Sequence, residues 1–151
     1  MSISIVIPVY NSQDTIQQCL RGLLTQDRLP NEIIIIDNGS LDKSVALIKE
    51  SKKGYPSNTK IVIDFERKRG PAAARNRGIN VANGDIIGFL DSDCIPRHDW
   101  VANILKRFDD DPTLAGVGGV TEGCNPSNSI AKFIASFRYL EKKKTKNNPS
   151  I

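Results

Sequence analysis

Cysteine, histidine, tryptophan and methionine are all scarce in these 151 residues: three, one, one and one. Cys19, Cys94 and Cys124 lie far apart and form no Cys-x-x-Cys. That spacing argues against a disulfide framework or a zinc site and fits a reducing cytosol. With His98 as the single histidine, no Ser-His-Asp set can be assembled. Neither Gly-x-Gly-x-x-Gly nor a Gly-Lys-Ser/Thr phosphate loop is present, so dinucleotide and P-loop binding lack their signatures. No apolar run approaches the length of a bilayer span. Met1 leads directly into a strand-like run without a basic region or cleavage site, so no secretory leader is expected. The sequon-like Asn38-Gly39-Ser40 carries no glycosylation meaning in a cytosolic chain. The formal net charge of +4 is mild and partly local, because Lys142, Lys143, Lys144 and Lys146 cluster near the end. Without interleaved aromatics that run reads as a solvated tail, and no nucleic-acid partner is expected.

What is present is an ordinary globular composition, 39% hydrophobic and 25% charged, in a length that suits one domain. A chain of this size buries roughly 68–70% of its unfolded surface, enough for a real core. Apolar runs alternate with helical patterns. "ISIVIPVY", "EIIIID", "KIVIDF" and "DIIGFLD" read as strands, the first two buried on both faces. Between them, Ile16, Cys19, Leu20, Leu23 and Leu24 share one helical face, with Cys19 in the core. A second helix is expected over Leu41 to Lys53, with Val45 and Ile48 inward. A third starts at Pro71 with Ala74, Gly78, Val81 and Ala82 inward, where small residues allow close approach to a sheet. Asp99 is placed to cap a fourth, whose inner face is Val101, Ile104, Leu105 and Phe108. "LAGVGGV" is expected to form a fifth strand, weakened by its glycines. After Gly123 the composition shifts to a last helix (Ile130, Phe133, Ile134, Phe137, Leu140) and a polar tail, giving expected units 1–123 and 124–151. This alternation predicts an α/β fold with a largely parallel sheet and helices on both faces.

Ligands of open α/β sheets bind beyond the carboxyl ends of the strands. There the first run delivers Pro8, Tyr10 and Asn11, the second Asp37-Asn38-Gly39-Ser40, and the fourth Asp91-Ser92-Asp93. Two carboxylates two residues apart in extended backbone point the same way and repel unless a cation lies near them. Mg²⁺ or Mn²⁺, held jointly with a substrate phosphate, fits such a pair; a polar turn is the plainer alternative. "ERKRGPAAARNRG" reads mostly as solvated surface, yet Arg75 and Arg77 sit in the first turns of a helix near the same edge, where they could meet an anion.

"IVIPVYN", "IIIIDNGSLDKS", "RGPAAARNRGINVANGD" and "IIGFLDSD" together resemble, in order and spacing, the family-2 glycosyltransferases of the GT-A fold, over about residues 3 to 120. The resemblance implies a nucleotide-diphosphate sugar donor (UDP-, GDP- or dTDP-linked) and transfer with inversion. It places Pro8, Tyr10 and Asn11 along the nucleotide and Asp37 at the base, with Arg75 in the same pocket and Asn38 among the substrate-binding residues. It sets Asp91, with Ser92, toward ribose and sugar, and Asp93 on a Mg²⁺ or Mn²⁺ that offsets charge on the departing diphosphate. Inverting transfer also needs a general base, which in this family lies in the acceptor half; no matching motif is found, and Glu122 and Glu141 read as surface residues. Three readings follow: a portion of a longer enzyme, a chain completed by a partner, or a non-catalytic sugar-nucleotide-binding module. The apolar stripe Ile130 to Leu140 packs internally, faces the missing half, or with the lysines rests peripherally on an anionic membrane surface. A cytoplasmic location is expected.

Overall fold

The computed structural model describes residues 1–123. The expected last helix, the lysine cluster, Cys124 and Glu141 lie outside the described residues. Met1–Ala115 is one compact unit; residues 116–123, described separately, contain no helix or strand. The order of elements is β1 (Ile3–Val9), α1 (Ile16–Leu24), β2 (Glu32–Asp37), α2 (Ser44–Lys52), β3 (Lys60–Phe65), α3 (Pro71–Val81), β4 (Ile86–Phe89) and α4 (Trp100–Asp110). The four strands form one parallel sheet in the order β3-β2-β1-β4. Chain direction across the sheet therefore reverses between β1 and β4, which opens a crevice at their carboxyl ends.

Burial explains the continuous apolar runs. Every residue of β1 and of β2 is buried, as expected for central strands covered on both faces. On one face Ile3, Ile5, Ile7, Ile33 and Ile35 meet Ile16, Cys19, Leu20 and Leu23 of α1, Ile48 of α2, and Val101 and Leu105 of α4. On the other, Val6, Ile34 and Ile36 meet Ala74 of α3, with Val81 and Ala82 packed alongside. Gly78 makes this second contact possible. A Cβ added there would lie 2.3 Å from Cγ1 of Val6, so α3 rides directly on β1.

Below the sheet's carboxyl ends a polar layer ties three strands together. Ser4, Glu32 and Lys60 are register neighbours on β1, β2 and β3. The buried Glu32 carboxylate accepts the Ser4 hydroxyl at 2.7 Å, Lys60 Nζ at 2.8 Å and the Asn83 amide N–H at 3.0 Å. Asn83 follows α3, so this layer pins the helix's carboxyl end to the sheet. Burial pushes the Glu32 carboxyl up, but the Lys60, Ser4 and Asn83 bonds outweigh it and bring it down to about 2.

Three expectations are corrected. "LAGVGGV" forms no strand; Gly116 and Gly118 have open space around them, and Val117 and Val120 are exposed, so the segment has no side-chain packing to hold a ladder. Asp99 occupies the N-cap of α4 without a side-chain capping bond, and its carboxylate pairs with Arg97 at 3.5 Å. The cap comes from Gln26, whose Oε1 accepts the Val101 N–H at 3.0 Å while Nε2 donates to Gly22 O and Arg97 O. α2 starts later than expected, at Ser44, and Val45 is half-buried while Leu47 packs on the core.

Candidate functional site

A cleft of about 860 Å³ occupies the crevice between the ends of β1 and β4. β1 delivers Pro8, Tyr10, Asn11 and Ser12 to its wall, and β2 contributes Asn38. The first turn of α3 brings Pro71, Ala74 and Arg75, and the segment beyond β4 brings Asp91, Ser92 and Asp93. Leu90 N–H still bonds Val6 O at 3.1 Å, so the acidic triplet starts where the ladder stops. Pro71 at the first helical position needs no acceptor for a missing N–H, and Gly70 supplies the φ of +119° that turns the chain into α3.

Hydrogen bonds lock the loops to one another. Asp42 Oδ1 accepts the N–H and hydroxyl of Ser44, and Ser44 Oγ accepts the Ser12 N–H at 2.7 Å. The Ser12 and Ser92 hydroxyls lie 2.8 Å apart, joining the β1 loop to the β4 loop. Asn11, in the left-handed region at φ 48°, donates its N–H to Ser40 Oγ and accepts the Leu41 N–H on Oδ1. The loops after β1, β2 and β4 are thus one connected frame.

Charge is concentrated on the β4 side. Arg75 Nη2 donates to Asp91 Oδ1 at 2.5 Å, with Asp91 55% and Arg75 33% exposed. An ion pair so open to water contributes little to stability and can rearrange around a ligand. Asp93 is exposed, and its Oδ1 is approached by the Cys94 thiol at 3.7 Å. Beneath them the Cys19 thiol, 3.7 Å from Asp91 O, is pushed up to about 12 by burial, with the charges of Cys94, Asp93 and Asp91 adding to the effect.

Of the residues read from the sequence, Pro8, Tyr10, Asn11, Asn38, Arg75, Asp91, Ser92 and Asp93 meet on this one cleft. Asp37 does not line it: the residue is 9% exposed and its Oδ1 accepts the Ser40 N–H. Arg77 is turned away as well, bonded to Asp64 Oδ2 at 2.7 Å. Ser12, Thr15 and Arg69 line the cleft without having been singled out. Arg69 was hidden in a cation-rich run, and nothing in sequence shows that Ser12 meets Ser92 eighty residues away.

A parallel α/β sheet whose acidic loop and helix start converge at the point where strand order reverses defines a ligand-binding α/β protein of the doubly wound class. Within that class, residues 4–150 match the model of glycosyl transferase family 2, and the chain belongs to that family. It is 34% identical over 136 residues to glycosyltransferase AglE of Haloferax volcanii, covering 85% of this chain and 42% of that protein. To the poly(ribitol-phosphate) beta-glucosyltransferase of Bacillus spizizenii it is 44% identical over 131 residues, covering 80% of this chain and 20% of that one. The chain therefore spans less than half the length of these relatives. The solved glucosyl-3-phosphoglycerate synthase of Mycobacterium tuberculosis, in complex with Mn²⁺, uridine diphosphate and glucosyl-3-phosphoglycerate, superposes with a TM-score of 0.57 and 25% identity. That superposition covers 71% of this chain and 39% of the other.

Proposed function

We propose that this chain carries the donor site of a glycosyltransferase, binding a nucleoside-diphosphate sugar together with Mg²⁺ or Mn²⁺. The observation that carries the reading is the placement of Asp91 and Asp93 at the switch point, facing Tyr10, Asn11 and Ser12 across one cleft. The donor set suits a hard cation shared with phosphate. Two carboxylates would leave coordination positions on such a cation for phosphate oxygens. Asp91 is engaged by Arg75, which leaves Asp93 as the principal metal ligand. Asp93, with Asp91 beside it, would hold the cation, whose charge would offset that of a departing diphosphate. Arg75 orients Asp91 and adds a second positive charge beside the leaving group, while Tyr10 and Pro8 lie along the nucleotide.

Inverting transfer requires a carboxylate to take the acceptor's proton. The cleft's described carboxylates, Asp91 and Asp93, are both committed to the donor side. The base is then neither of these two residues, and a non-catalytic sugar-nucleotide-binding role is the second reading. Calorimetry with UDP, GDP and dTDP, each with and without Mn²⁺, tests the site. One of them should bind in a metal-dependent way, and Asp93→Ala should abolish the metal dependence while the circular dichroism spectrum stays unchanged. Undiminished binding by that variant would remove Asp93 from the metal site.

A further inference from the structure

We propose that Ser12 is the positioning residue of the metal site: its hydroxyl receives the hydrogen of the Ser92 hydroxyl and thereby sets the turn that carries Asp91 and Asp93. This rests on the donor-site reading above and adds to it a residue of the β1 loop, 80 positions away from Ser92 in sequence.

Ser12 is anchored by its backbone as well as its side chain. Its N–H donates to Ser44 Oγ at 2.7 Å, and its carbonyl accepts the Thr15 and Ile16 N–H groups at 3.1 and 2.9 Å, at the start of α1. Asp42 secures the other side of this joint: Oδ1 accepts the Ser44 hydroxyl at 2.5 Å, and Oδ2 the Gln13 N–H at 3.0 Å. The Ser12 hydroxyl is therefore a fixed point on the wall of the cleft. The acidic triplet lies past the last ladder bond of β4, from Leu90 N–H to Val6 O. There the chain folds into a turn closed by the Cys94 N–H on Asp91 O at 3.0 Å. Ser92 and Asp93 are the central residues of that turn. A tether on Ser92 fixes its tilt, and with it the direction of the carboxylates on either side.

Counting hydrogens gives this bond its direction. A serine hydroxyl has one hydrogen to donate. That of Ser12 goes to Tyr10 O at 3.3 Å, so across the 2.8 Å between the two hydroxyls Ser92 is the donor. With its hydrogen committed to Ser12, the Ser92 oxygen has only lone pairs left to offer. Beside two carboxylates that arrangement suits a hard cation. A hydroxyl free to rotate could instead donate to Asp91 or Asp93 and occupy the lone pairs that the cation needs. Arg75 constrains Asp91 through their ion pair. Asp93 takes its direction from the turn, and the turn takes its own from Ser12.

The test is a Mn²⁺ titration of the full chain followed by electron paramagnetic resonance, with UDP, GDP and dTDP present in turn. The unaltered protein is compared with Ser12→Ala, Ser92→Ala and the double variant. Ser12→Ala should raise the Mn²⁺ concentration at half-saturation about tenfold, the lower end of what losing an outer partner costs a metal site. Ser92→Ala breaks the same bond from the side of the turn and should cost a similar factor; it carries the prediction if Ser12→Ala does not fold. The double variant should be no weaker than either single one, because only one bond is lost. An unchanged half-saturation in the variants would overturn the inference. So would losses that multiply in the double variant, which would give Ser12 and Ser92 separate contacts to the donor. If none of the three diphosphates makes the folded, unaltered chain bind Mn²⁺ more tightly than Asp93→Ala does, the donor-site reading itself fails and takes this inference with it.

Discussion

Removing one buried charge far from the cleft should make the stability of this protein depend less on pH. Glu32 is 4% exposed and gathers bonds from Ser4, Lys60 and Asn83. Its folded value of about 2, against an ordinary 4.5, means that the native state binds this proton less readily than the unfolded chain does. The resulting stabilisation is fully present above pH 4.5 and is lost as pH falls toward 2. At about 1.4 kcal/mol per unit the separation corresponds to about 3 kcal/mol above pH 5, shrinking to about 1.4 kcal/mol at pH 3. Glu32→Gln keeps the shape but not the charge. Urea denaturation of both proteins between pH 7 and pH 2.5 should show the variant less stable by about 2–3 kcal/mol at pH 7. The two curves should converge on acidification. A gap of constant size across that range would refute the argument, because the cost would then be one of packing or dipole orientation and not of charge. Nucleotide binding at pH 7 should be unaffected by the change, since Glu32 starts β2 at the end opposite the cleft.

Two further perturbations probe the packing beneath the site. Gly78→Ala gains about 1 kcal/mol of helix propensity but drives a methyl into Val6, and overpacking costs about 1–3 kcal/mol. Net destabilisation is expected, with partial recovery in the Gly78→Ala, Val6→Ala double variant; a more stable single variant would mean that α3 can lift off β1 freely. Native protein treated with iodoacetamide at pH 8 should leave Cys19 unmodified by mass spectrometry, because its thiol is buried and titrates near 12. Rapid labelling without denaturant would show that the core around α1 opens readily.

The features legible in the sequence are those with a local cause. Seven buried positions in a row made β1 a central strand, and Pro71 after Gly70 marked the start of α3. The break at Asp91 marked the end of β4 because an apolar run met carboxylates, although Phe89 within that run is exposed. The small face Ala74 and Gly78 announced a close helix–sheet contact, and Val6 is that contact. What could not be read depended on register or on distant side chains. Glu32 looked like an ordinary strand start, because Ser4 and Lys60 become its neighbours only once strands align across 28 residues in each direction. Asp99 looked like the cap of α4, yet Gln26, 75 residues earlier, holds the Val101 N–H. Arg69 vanished into a run of cations until Asn38 placed it over Tyr10. "LAGVGGV" had strand-like valines, but pairing needs packed neighbours that its glycines do not offer.

The pairing of β1 with β4 joins Ile3 to Ile86, across more chain than any other strand pair in the sheet. Closing that loop costs the most entropy and is compensated by only four register pairs, so this seam is the natural late step of folding and an early one to open. The cleft straddles it, with Tyr10 and Ser12 on one bank and Asp91, Ser92 and Asp93 on the other. A ligand that spans both banks therefore acts as a clasp on the strand pair separated by the most sequence. Its binding free energy appears directly as slower hydrogen exchange at the Leu90 amide.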